Sequence, residues 1–71
     1  DGNKVDMIFV EQSDSNVKIS WRALEKGIDV SKVAKHFNGG GHAAAAGADI
    51  PGELSEVQPL VLKITREMLG L

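Results

Sequence analysis

"VKISWRAL", residues 17–24, alternates without a break. Val17, Ile19, Trp21 and Ala23 fall on one side of an extended chain, and Lys18, Ser20 and Arg22 fall on the other, because successive strand side chains point to opposite faces. The first set reads as core. Just upstream, "KVDMIFVEQ" (4–12) is rich in β-branched and aromatic residues, and "SDSN" (13–16) supplies turn formers between the two, so the pair reads as a hairpin. Met7, Ile8, Phe9 and Val10 form an unbroken apolar run, which predicts a strand covered on both sides. A polar face on the strand beside it then needs a reason. A cleft in front of that face supplies one.

Downstream, "EKG" (25–27) interrupts the pattern and Asp29 is placed to cap a helix. Val30, Val33, Ala34 and Phe37 give that helix one apolar face, at the spacing of a single side. His36 lies on its polar side with Lys32 and Lys35 and reads as a surface residue. Glycines end the helix. "HAAAAG" (42–47) is expected to form a short helical turn, and "ADI" (48–50) a short strand stopped by "PG". In the final segment Leu54, Val57, Val61, Ile64, Met68 and Leu71 recur at steps of three and four. Pro59 interrupts the backbone ladder there, so a regular helix is expected from about Gln58 or Pro59, with Gly70 closing it. The fold class is α/β: a small mixed sheet, a hairpin plus a crossover strand, with helices packed on it in the order β-β-α-α(short)-β-α. A strand–helix–strand succession implies a right-handed crossover.

The chain has 71 residues, no cysteine and a formal charge of −2. That length is one domain, residues 1–71, and a domain so small buries only roughly 60% of the surface its unfolded chain exposes. Without disulfides or thiolate metal ligands, support from another domain or a second copy is expected, so a homodimer is a candidate. The acidic balance argues against a surface for long nucleic acid, which shows a basic stripe. It leaves room for a short oligonucleotide or a nucleotide phosphate. No apolar run approaches a membrane helix and no signal peptide opens the chain, so no membrane partner and a cytoplasmic location are expected. The abrupt opening "DGNKVD" reads as the start of an excised piece of a longer protein.

Chemistry concentrates in "FNGGGHAAAAGADI" (37–50). Gly39, Gly40 and Gly41 lack Cβ atoms and let a ligand approach the main chain itself. If a helical turn starts at His42, its first N–H groups are unpartnered and form a seat for a phosphate, with the imidazole as a donor beside it. The alanines then act as spacers. A plainer reading is a helix stop followed by a solvated loop, and the residues alone leave both open. Arg22, with Ser20 and Lys18 on the same strand face, offers a planar fork for a phosphate if that face fronts a cleft, and is otherwise an ordinary surface arginine. Trp21 reads as core. No convergent His, Asp or Glu cluster suggests a metal site. No Ser–His–Asp arrangement or phosphate-loop lysine is present either. The chain has the residues to bind, without visible machinery for breaking a bond.

"ISWRAL", "DVSKVAKHF" and "NGGGHAAAAGADI" together resemble the C-terminal substrate-binding domain of the DHH-family phosphoesterases, DHH-associated domain 1, across residues 4 to 69. The family's string of glycines, histidine, two free positions, two small residues and glycine is met by Gly39, Gly40, Gly41, His42, Ala45, Ala46 and Gly47. The resemblance implies that Gly40, Gly41 and His42 hold a phosphate or its neighbouring ribose, and that Arg22 grips a terminal phosphate. It implies a hydrolase parent whose own N-terminal catalytic domain, absent from this chain, binds two manganese ions and is this domain's partner; the fragment alone is then inactive, with no cofactor of its own. "VAKHFNGGGHAAAAGA" looks closest to the oligoribonuclease and 3′-phosphoadenosine 5′-phosphate phosphatase branch, the nanoRNases. Cyclic-dinucleotide phosphodiesterases carry a similar string, and single-strand exonucleases carry the same domain. A related module in alanyl-tRNA synthetase, which binds tRNA without hydrolysis, is the alternative. The family usually has Arg-Ser where this chain has Arg22–Ala23, and often glycine where it has Asn38.

Overall fold

Strand β2 (Asn16–Ala23) is the structural centre of the domain. In the computed structural model, which describes residues 3–71, β1 (Val5–Gln12) lies antiparallel to it on one side and β4 (Ala45–Pro51) on the other. Asp1 and Gly2, the start of the opening polar stretch, lie outside the described residues. A two-residue strand β3 (Gly40–Gly41) pairs with the far side of β4, giving the order β1-β2-β4-β3. Helices α1 (Ser31–His36) and α2 (Leu54–Leu69) complete the α/β fold.

Both helices cover one face of the sheet. Val17, Ile19 and Trp21 of β2 are sealed beneath Val30, Val33 and Ala34 of the first helical segment and Val57 and Val61 of the second. Each such side chain removed from water contributes about 1.5–3 kcal/mol. The hidden polar group is handled locally. Trp21 donates its indole N–H to the Thr65 hydroxyl (3.1 Å), and Thr65 donates in turn to the Val61 carbonyl (2.7 Å). Phe37 stacks on the same indole at a centroid distance of 6.2 Å. Trp21 is core, as its alternation implies, while Thr65 sits among apolar periodic residues and escapes a pattern-based reading.

Asp29 is not the helix cap itself: the N-cap is Val30, which has no side-chain cap bond, and Asp29 stands one residue before it. Its carboxylate accepts from the Ser31 backbone N–H (3.0 Å) and from the Ser31 hydroxyl. The hydroxyl bond, first among the causes, holds the Asp29 carboxyl below the usual carboxylate range. The helix closes through Asn38, which takes the left-handed conformation (φ 66°) that asparagine tolerates.

Four further expectations need correction. Residues 42–47 form no helical turn: His42 N–H donates to the Ala45 carbonyl (2.8 Å) and Ala45 N–H to the His42 carbonyl (3.1 Å), a tight hairpin that starts β4 at Ala45. Four alanines are too few to nucleate a helix, and seven paired positions along β2 outweigh their propensity. Every strand pair is antiparallel, so the crossover from β2 through α1 lands on β3, which runs in the direction of β2, and β4 then folds back between them. α2 begins at Leu54, not near Gln58, with Pro59 inside. The proline is exposed, and the carbonyl it leaves without an N–H partner belongs to exposed Ser55, open to solvent. Finally, Ile8 and Val10 are not covered on both sides: they are 55% and 47% exposed on the face away from the helices. Among the described residues no helix is long and apolar enough to cross a membrane.

Candidate functional site

With both helices on one side, the opposite face of the sheet is bare, and the strand registers set out what stands on it. Asp6 pairs with Arg22 and Arg22 with Ala45, and Ala45 exchanges both hydrogen bonds with His42. One row across the sheet is therefore Asp6–Arg22–Ala45–His42. The next is Ile8–Ser20–Gly47–Gly40, and the third is Val10–Lys18–Asp49. Cross-strand partners share a face, so Arg22 and His42 rise from the same surface, two strand spacings or roughly 10 Å apart. In the register, Ala45 is the residue between them. A guanidinium and an imidazole at that separation can both reach an anion set above Ala45.

The middle row is a floor. Asp6, Ile8, Ser20, Arg22, Gly40 and Gly47 line a shallow trough of about 440 Å³, with Ile8 as its apolar wall. Ser20 and Arg22 line it as the alternation anticipates. His42 is exposed at the end of the neighbouring row and does not line the trough itself.

The three glycines divide into two kinds. A Cβ on Gly39 would lie 2.1 Å from the Gly47 carbonyl oxygen and 2.6 Å from the Ala48 Cβ. A Cβ on Gly41, whose φ is +145°, would lie 2.5 Å from the Ala46 Cα. Those two are glycine so that the α1 exit and β3 can press onto β4. Gly40 is different: nothing stands within 4 Å of where its Cβ would be. It opens onto the trough, and the close main-chain approach expected of the whole triplet belongs to Gly40.

The expected seat at a helix N-terminus is absent, since the His42 and Ala45 amides are spent on the hairpin. What replaces it comes from the ladder. The His42–Ala45 bonds set the alternation of β3 with β4, so the Gly41 N–H turns outward along the sheet edge. Among the described residues no backbone bond uses the Ala43 or Ala44 amide, while their carbonyls accept from Val30 (3.0 Å) and Ala23 (2.8 Å) and so fix the hairpin tip to both neighbours. Free donors thus cluster beside His42 by a different route. Gly47 belongs to the glycine–histidine string quoted from sequence, but Asp6 and Ile8 were not singled out as site residues; parity with Arg22 across the hairpin is the signal that could have found them.

The DHHA1 domain family model matches residues 1–70. The chain belongs to the DHHA1 family. No curated protein matches it. DHHA1 is the domain associated with DHH phosphoesterases, which points to a hydrolase parent. Among the described residues of this DHHA1 domain, no three His, Cys, Asp or Glu side chains converge as metal ligands. Its own donors do not fit a two-metal centre.

Proposed function

We propose that this DHHA1 domain clamps the phosphorylated end of a short oligonucleotide or nucleotide phosphate for a DHH-type phosphoesterase, with the nanoRNase and 3′-phosphoadenosine 5′-phosphate phosphatase branch as the reading its glycine–histidine string supports best. The observation that carries it is the row Arg22–Ala45–His42 standing beside the small residues Ser20, Gly47 and Gly40 of the trough. Arg22 takes two phosphate oxygens with its guanidinium fork. His42 donates from the other side, and the Ser20 hydroxyl donates from the floor. Gly40 lets the sugar or phosphate rest against the main chain. The manganese ions belong to the separate catalytic domain that the family resemblance implies, and no step here runs through them. The contribution of this chain is positioning and charge complementarity.

Chemical-shift mapping of the chain with adenosine monophosphate, and then with a 5′-phosphorylated dinucleotide, tests this. The amides of Ser20, Arg22, Gly40, Gly41 and His42 are expected to move together, and Arg22→Ala to abolish the shifts. Shifts confined to the helical side, or steeply salt-dependent binding of tRNA without affinity for either nucleotide, would refute the reading and favour the tRNA-binding alternative.

A further inference from the structure

The other edge of the sheet carries a separate message. β1 is an edge strand of eight residues in unbroken register with β2, and its sequence has no proline. Edges of this kind are ordinarily guarded by prolines, bulges or charges; β1 has neither of the first two, and its charged residues are Asp6 and Glu11. Leu24 N–H donates to the Lys4 carbonyl (2.8 Å), which fixes the alternation. Lys4, Asp6, Ile8, Val10 and Gln12 spend their backbone groups on β2, whereas Val5, Met7, Phe9 and Glu11 turn theirs outward.

An added strand would find apolar cover on both sides. Towards the helices, Val5, Met7, Leu62, Lys4 and Arg66 line a groove of about 230 Å³ between β1 and α2. The helix-facing residues Val5, Met7 and Phe9 are only partly buried, although Trp21 and Ile19, opposite Met7 and Phe9 on β2, are sealed. Towards the bare face stand Ile8 and Val10, both exposed.

The strand that fits is a second β1. Outward residues must pair with outward residues, and only one antiparallel two-fold register uses all four. It sets Val5 opposite Glu11, Met7 opposite Phe9 and Ile8 opposite its own copy, with Asp6 facing Val10 and Lys4 facing Gln12. No like charges meet. Glu11 shares the helix-side parity of Val5, so it enters the end of the groove that Val5, Lys4 and Arg66 line.

We infer that two copies of this chain pair through β1 about a two-fold axis at Ile8, forming one continuous sheet in which Glu11 of each copy sits beside Arg66 of the other. An interface of this kind is isologous, with each surface serving as its own complement. The two bare faces then point the same way and their troughs meet across the paired Ile8 side chains.

Sedimentation of the chain across roughly a hundredfold range of concentration tests this, since a self-associating chain changes apparent mass with concentration. The expected result is a rise from one chain mass of 7.6 kDa to two. Glu11→Arg and Arg66→Glu, both at exposed positions, are each expected to weaken association by about tenfold or more, and the two together to restore it. Trp21 fluorescence reports that each variant stays folded. A monomer at every concentration overturns the inference, as does a dimer indifferent to the single substitutions or one that the double exchange fails to rescue.

Discussion

Replacing Gly39 and Gly40 one at a time by alanine separates what the glycine triplet does for the fold from what it does for a ligand. In Gly39→Ala the new methyl group lies 2.1 Å from the Gly47 carbonyl oxygen and 2.8 Å from the Ala48 Cα. Both atoms belong to the backbone of β4, a strand held on each side by its neighbours, so no flexible side chain can swing away. Overpacking of this sort costs about 1–3 kcal/mol, and rigid backbone places the site at the upper end. For a domain whose whole stability is on the order of 5 kcal/mol, that is most of the margin. At about 4–8 °C per kcal/mol for a domain this small, the melting temperature falls by roughly 10–20 °C. Gly40→Ala meets nothing within 4 Å and its φ is not in the left-handed region. Its stability should stay level, or rise by about 0.4–1 kcal/mol as the unfolded chain loses freedom. Its methyl group, however, projects into the trough and should weaken nucleotide binding. Urea titrations followed by the single tryptophan, beside nucleotide titrations of both variants, check the pair. A Gly39→Ala protein as stable as the parent would refute the close-approach argument. A Gly40→Ala protein that binds unchanged would remove Gly40 from the seat.

Thr65→Val keeps the shape but leaves the buried Trp21 N–H without its acceptor; a loss of about 1–3 kcal/mol in urea titration is expected, while Thr65→Ser should retain most of the bond. Arg22→Ala, at an exposed position, should leave melting unchanged; in the intact enzyme it should mainly raise KM, whereas His42→Ala should lower kcat more, and kinetics of the His42 variant equal to the parent would remove the imidazole from the mechanism. Because the Ser31 hydroxyl holds the Asp29 carboxyl below its ordinary value near 3.8, the contact stabilises the folded state fully above that value and is lost as pH falls through the lowered one. Thermal melts between neutral and acid pH should therefore show a fall near and below pH 3.8 that is smaller in Asp29→Ala, and identical profiles would contradict the contact.

Much of the fold can be read from local pattern. The alternation of 17–24, the turn formers at 13–16 and the three- and four-residue steps after Leu54 each point to an element from local pattern, and all three elements exist, although the last helix starts at Leu54, earlier than read. The Asp29 cap is right only to within a residue: the N-cap is Val30, and Asp29, just ahead of it, instead holds Ser31 through a local bond. That Arg22 and Ser20 share a face also follows from parity alone, while the trough in front of that face is a feature of the assembled sheet.

The alanine stretch marks where local reasoning ends. Its composition favours helix, but its conformation is set by pairing with β2, a strand more than twenty residues away, and by glycines whose missing Cβ atoms matter only once β4 lies against them. Tertiary structure likewise decided that the helices share one face, leaving Ile8 and Val10 bare, and that Thr65 rather than water satisfies Trp21. Sequence by itself determined which residues could form strands, turns and helices, since those preferences act within a few residues. Which amides remain free, and which side chains stand across from Arg22, depend on contacts between distant segments, and those exist only in the assembled sheet.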